Sequence, residues 1–251
     1  MGSIRIPNFP AFCSPHFELR SNPHCRAVTH LAEKSAFSTP LFLDAEEEVR
    51  LPGARLGLLA ALCFPTCDAS QLLAVTKFLI VVMHWMDRPR SLYADEEIFD
   101  PIWAKYLRPT TRRDWQKRFQ RHLAAFRDGR ALLAQDAAEG ILPDLESYIG
   151  IRCDACGVKM FLDLIIYAGD VAAYAQRPHS GNIIAVLMHE RRYTAQAATH
   201  FAGNLRDADD VRAYVQGLRD CIVGTLRWLY ETDRYFGETA EDVRSSGWVC
   251  L

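Results

Sequence analysis

Arg234 and Tyr235 stand side by side in the stretch ETDRYFG, at the far end of a long amphipathic run. Arginine brings a permanent charge and up to five N–H donors in a planar fork, and tyrosine adds an O–H donor. Adjacent at a helix end, they suit an anion with several oxygens, such as a phosphate. Arg234 also has a plainer role open to it, because cations are favoured at helix C-termini. Other reactive groups are less specific. Cys153-x-x-Cys156, with Cys63 and Cys67, offers four sulfurs. No paired histidine spacing accompanies them, so buried, inert thiols are expected. Asp95, Glu96, Glu97 and Asp100, like Asp207, Asp209 and Asp210, fall where loops give way to helices. Capping and first-turn charge account for such acids. Lys105, Arg108, Arg112, Arg113, Lys117, Arg118, Arg121 and Arg127 recur at helical spacing and predict a solvated basic face. Trp85, Phe161, Trp228 and Tyr230 offer ring faces to a cation, or simply core.

The elements that must position these groups are helical. A chain of 251 residues is long enough for one large domain, and a single domain over 1–251 is expected. Its 49% apolar and 24% charged content is that of a globular protein in water. A net charge of −2 leaves no electrostatic footprint for nucleic acid. The opening MGSIRIPNFPAF lacks a long apolar core, so the eight scattered cysteines are expected to be reduced thiols in a cytoplasmic protein. The apolar run 71–86 carries Lys77 and falls short of the ~18 to 20 residues of a membrane span, so no membrane partner is expected. WVCL places its cysteine second from the end, which is not a prenylation box.

Pro7, Pro10, Pro15 and Pro23 forbid a long helix in residues 1–26 and predict an extended strap. Residues 27–48 are predicted helical. GLLAALCF is a short apolar helix ended by Pro65, and Asp68 or Ser70 can cap the next. That next helix, 70–86, is apolar nearly all round, which places it at the centre of a bundle; Pro89 stops it. A basic amphipathic segment spans 93–128, Asp144 opens a further helix, and 152–168 is again strongly apolar. In the last helix, predicted to end near Gly237, the residues Val211, Tyr214, Val215, Leu218, Ile222, Leu226 and Leu229 trace one apolar stripe. No strand-like alternation persists. The fold class is all-α, a helical bundle.

Four stretches, in order, carry a further likeness. Phe17 to His24 fits F-x-x-x-x-N-P-H. SYIGIRCDACGVKMFLDLIIYA follows Y-I-x-x-R-R-x-T-x-G. NIIAVLMHERRYTAQAATHFAGNL follows N-M-I-x-V-L-M-x-E, and YVQGLRDCIVGTLRWLYETDRYFG ends in R-Y. Together they resemble the fungal class I terpene synthases of the basidiomycete sesquiterpene cyclase type. The resemblance implies a helical bundle that ionises farnesyl diphosphate and cyclises the carbocation, working as a monomer or homodimer. It implies Mg²⁺ held by the acids of D-D/E-x-x-D and N-D-x-x-S-x-x-x-E, because the leaving diphosphate needs its charge neutralised. It also implies that Arg152, Arg234 and Tyr235 bind that diphosphate.

The metal motifs depart from the family pattern. Against the first, the chain reads Asp87-Arg88-Pro89-Arg90-Ser91: one acid remains, and Pro89 disturbs the helical spacing. Against the second, Gly169, Ala173 and Arg177 replace Asn, Ser and Glu, leaving Asp170 alone. The chain also lines up short just after Ala168 and again after Leu205. Asp87 is therefore the implied catalytic acid, and Asp87 with Asp170 the implied metal ligands. Arg88, Arg90 and Arg177 are possible cationic replacements that, with Arg152 and Arg234, would form a metal-free pocket for phosphate oxygens. Three functions stay open: a cyclase on farnesyl diphosphate, a non-catalytic protein binding a prenyl diphosphate or a partner, and a metal-independent enzyme for a neutral terpenoid. Asp207 to Asp210 spells the D-x-D-D of class II cyclases, but at a helix start.

Overall fold

The computed structural model describes residues 3–8, 11, 13, 15–38, 45–87, 99–169, 205–236 and 239–250. Arg88, Arg90, Asp170 and Arg177 lie outside the described residues, as does the stretch that follows N-M-I-x-V-L-M-x-E. The helices are α1 (Cys25–Ser38), α2 (Ala45–Gly53), α3 (Leu56–Cys63), α4 (Ala69–Asp87), α5 (Arg113–Glu139), α6 (Leu145–Ala155), α7 (Val158–Ala168), α8 (Leu205–Glu231) and α9 (Ala240–Ser246). Short helical turns over Asp100–Ile102, Trp103–Leu107 and Arg108–Thr110 precede α5. The predicted all-α class holds, with one small addition. β1 (Ser3–Arg5) pairs antiparallel with β2 (Trp248–Cys250), Ile4 opposite Val249. Gly247, at φ 75°, turns the chain into β2, a conformation that costs glycine little.

The chain clusters into two compact units, one drawn from Met1–Arg88, Ala94–Ala104 and Gly217–Leu251, the other from Pro89–Tyr93 and Lys105–Gln216. The first is built around α4, which packs against α1 and α3. Leu72, Val75, Phe78, Leu79, Val81 and Trp85 of α4 are all buried, as an all-round apolar helix requires. At 19 residues α4 is long and apolar enough to cross a membrane by length and composition. That corrects the shorter span expected from the run 71–86, while its burial marks it as core. Its start is a reciprocal cap: Gln71 N donates to Asp68 Oδ1 at 2.8 Å, and Asp68 N donates to Gln71 Oε1 at 3.1 Å. Two otherwise orphaned amides are thereby satisfied.

The strap is held by polar groups. Asn22, 2% exposed, donates from Nδ2 to the carbonyls of Phe64 (3.0 Å) and Cys67 (2.8 Å). Its Oδ1 accepts from His24 N, and its own N–H donates to Ala61 O. The N-P-H motif is thus a structural clamp on the end of α3. Arg20 donates from Nη2 to Asp220 Oδ2 (2.5 Å) and from Nε to Oδ1 (3.2 Å).

In the second unit α5 packs against α6 and α7. Asp144 caps α6, its Oδ1 accepting from Ser147 N at 3.0 Å, which holds its carboxyl below the ordinary aspartate range. Gly157, at φ 74°, breaks α6 from α7. The basic face of α5 is not wholly solvated. Arg118 is buried, its Nε donating to Asp163 Oδ1 at 2.6 Å, and His122 Nδ1 lies 2.6 Å from Asp163 Oδ2. A buried charge needs such compensation, and Asp163 supplies it from α7.

Candidate functional site

The residues that end α8 set the site. The helix stops at Glu231 and not near Gly237, which is outside the described residues. The reason is tertiary. Thr232 is fully buried, and its hydroxyl lies 3.0 Å from Ala54 O and 3.3 Å from Gly53 O. Asp233 N donates to Gly53 O at 3.0 Å, and Trp228 Nε1 to Ala54 O at 2.9 Å. The carbonyls ending α2 thus draw the chain out of the helix into a turn, which presents Arg234 and Tyr235.

The buried side of α8 also differs from the predicted stripe. Ile222 is 47% exposed, whereas Asp220, Val223 and Trp228 are buried. Gly224 explains the rotation. A Cβ there would lie 2.7 Å from the Leu62 carbonyl carbon and 3.0 Å from Cys63 N. The helix therefore meets α3 through a small residue at backbone contact.

Arg234 donates from Nη1 and Nη2 to the two oxygens of Asp87, the last residue of α4. This is a bidentate fork, the strongest geometry open to an arginine–carboxylate pair. The Arg234 backbone N–H lies 3.3 Å from Thr232 Oγ1. The guanidinium is half-buried, and its pKa is raised, first by the hydrogen bond to Asp87, with a smaller contribution from Tyr235. Tyr235 is exposed and sets its ring edge-on against Trp228, centroids 5.7 Å apart. The structure thus brings together Asp87, Arg234 and Tyr235, residues from two distant stretches. Arg152 lies on α6, in the last turn, exposed. Asp170, Arg88, Arg90 and Arg177 are among the undescribed residues.

Trp85 and Trp228 are buried core side chains, and Tyr230 stacks on Phe236 at 5.7 Å. Cys63 and Cys67 are buried as expected, but Cys153 and Cys156 are exposed, since both fall on the outer side of the last turn of α6 and its cap. The Arg118–Asp163–His122 cluster was missed in sequence, where nothing separates Arg118 from its charged neighbours.

The family model described as "Terpene synthase family 2, C-terminal metal binding" matches residues 68–176. "Sesquiterpene synthase Agr1" of Cyclocybe aegerita is 28% identical over 324 aligned positions, covering 99% of this chain and 93% of that protein. The chain is thus similar to fungal sesquiterpene synthases over nearly its whole length. "Alpha-muurolene synthase" of Coprinopsis cinerea is 26% identical, covering 99% of this chain and 78% of its own. A solved α-eudesmol synthase superposes with TM-score 0.65 at 14% identity, covering 85% of this chain and 96% of that one. The likeness confirms the fold class. The alignment to the Cyclocybe protein runs over 324 positions against 251 residues, so at least 73 positions (324 less 251) face no residue of this chain. That agrees with the internal shortening legible in its motifs.

The family implies a metal, and the described donors do not fit Mg²⁺. Both oxygens of Asp87 are engaged by Arg234. Among the described residues, no three His, Cys, Asp or Glu side chains converge on one point. Mg²⁺ needs several oxygens in octahedral array, and a carboxylate already forked by a guanidinium offers it little.

Proposed function

We propose that this protein is a terpene synthase relative that binds farnesyl diphosphate, with Arg234 and Tyr235 donating to diphosphate oxygens. The observation that carries the proposal is the Arg234–Tyr235 turn. It is held by Thr232 against the end of α2 and faces Asp87, the one acid kept from the first metal motif. A guanidinium fork and a phenol are matched to phosphate oxygens. The names of the fungal relatives add a sesquiterpene product class, to which a fifteen-carbon prenyl diphosphate is the matching substrate. In the catalytic form of this reading, the C–O bond to diphosphate breaks, the carbocation cyclises, and it ends by losing a proton or taking up water. Preorganised donors aimed at the departing charge are the protein's contribution.

A second reading is favoured by the engagement of Asp87 with Arg234: a family member that binds the prenyl diphosphate without turning it over. One incubation separates them. Pure protein is given farnesyl diphosphate, once with Mg²⁺ and once with a chelator, and terpenes are sought by gas chromatography. The cyclase reading expects hydrocarbon or alcohol product. Product with Mg²⁺ alone assigns a metal role to family-implied ligands such as Asp87 and Asp170. Product in both assigns the chemistry to arginines. No product in either, with the diphosphate still bound, leaves the binding protein.

A further inference from the structure

We propose that Asp87 acts in this protein as an internal anion that occupies Arg234, so that a phosphate-bearing ligand must displace Asp87 from Arg234 in order to bind. The proposal rests on the assignment of Arg234 as an anion contact. Its basis is the geometry at the junction of α4 and the turn after α8. The acid sits at the end of α4, where Pro89 follows two residues on, and the arginine sits in the turn drawn out by Thr232. Each partner is therefore fixed by its own backbone, and the fork they form is not a chance meeting of long side chains.

Three consequences follow from that fork. First, Arg234 spends both terminal nitrogens on one carboxylate, the same edge that a phosphate would use. Second, the pair is neutral, so the long-range attraction of a bare guanidinium for a multiply charged anion is cancelled locally. Third, both partners are reachable. The side chains of Arg234 and Asp87 are 22% and 47% exposed, so exchange of the carboxylate for an external anion needs no unfolding. Neighbouring Tyr235, 52% exposed, places its hydroxyl within reach of the same incoming oxygens. A second carboxylate at position 88 or 91 would leave an acid for a metal while the first held the arginine, but those positions are Arg88 and Ser91. One acid cannot give both oxygens to an arginine and to a metal at once.

The test uses inorganic pyrophosphate as the probe, titrated calorimetrically into the full chain in chelator, where a metal-ligand role for Asp87 predicts no gain in affinity on its removal and a masking role predicts a gain. If Asp87 masks Arg234, Asp87→Asn binds pyrophosphate more tightly than the parent, by roughly tenfold for removal of one adjacent counter-charge. Asp87→Ala, which leaves no oxygen to accept from Arg234, does the same and substitutes for the Asn variant should that one not fold. Unchanged or weaker binding in both folded variants overturns the proposal. Arg234→Gln identifies which layer has failed. Loss of binding in Arg234→Gln, without gain in the Asp87 variants, refutes the mask and keeps Arg234 as the anion contact. Undiminished binding in Arg234→Gln refutes both.

Discussion

The geometry of Arg234 depends on what surrounds it. By itself, an arginine near a helix end is ordinary. Its backbone is placed by Thr232, and its fork is matched by Asp87 from a stretch far away in sequence. The cysteines give a sharper residue-scale expectation. Burial, reinforced by Asp68, pushes the Cys67 thiol up to about 12. The Cys221 thiol is raised first by its hydrogen bond to Cys63 and then by burial. Thiolate is the reactive form, so at pH 8 both stay protonated and slow. Cys153 and Cys156 stand in solvent. Labelling of the native protein with iodoacetamide at pH 8, mapped by mass spectrometry, is expected to modify Cys153 and Cys156 well before Cys67 and Cys221. Faster labelling of Cys67 would contradict its buried, hydrogen-bonded setting.

Among the elements, α8 decides most. It meets α3 where Gly224 lets backbone approach backbone, and this contact turns Asp220 and Trp228 inward and Ile222 outward. Gly224→Ala places a methyl 2.8 Å from the Leu62 carbonyl oxygen, which neither helix backbone can yield cheaply. A loss of about 1 to 3 kcal/mol is expected for such overpacking, read as a lower urea midpoint at unchanged slope. A helix-propensity gain instead would mean that the two helices are not in contact there. The predicted apolar stripe erred here for a physical reason. Periodicity counts greasy side chains, and this interface is made by a glycine against the Leu62 backbone and by Cys63 and Cys221, each thiol near the other's carbonyl. Where the apolar side chains themselves make the contact, as along α4, the same count succeeded.

At the scale of the molecule, polar tethers join distant parts of the chain. Asn22 clamps the strap to the end of α3, and Arg20 ties it to Asp220 on α8. Asp220 is 3% exposed, so it depends on its partner. Arg20→Ala strands that carboxylate, and because the Arg20 side chain is 32% exposed some solvent can reach the gap. A cost of about 2 kcal/mol is expected, below the range for a fully buried pair. Adding Asp220→Asn should recover much of it, and an equal loss in the double variant would show that the pair is not the cause. The missing length relative to the fungal relatives, at least 73 aligned positions (324 less 251), is also a whole-molecule property. The fold still superposes on that of the solved α-eudesmol synthase, with TM-score 0.65 over 85% of the chain.

The sequence by itself determined the helical class, the central position of α4, the capping acid Asp144, the resemblance to fungal terpene synthases, and the departures from their metal motifs. Each is local: it depends on periodicity, on a side chain bonding an amide three residues away, or on residue identity at a motif position. Only the tertiary structure decided that Asp68 rather than Ser70 caps α4, that α8 ends at Glu231, that Arg118 is buried against Asp163, and that Asp87 and Arg234 are partners. The last three of those outcomes join residues from 45 to 178 positions apart in sequence, and no local pattern encodes which carbonyl or carboxylate the fold will bring within reach.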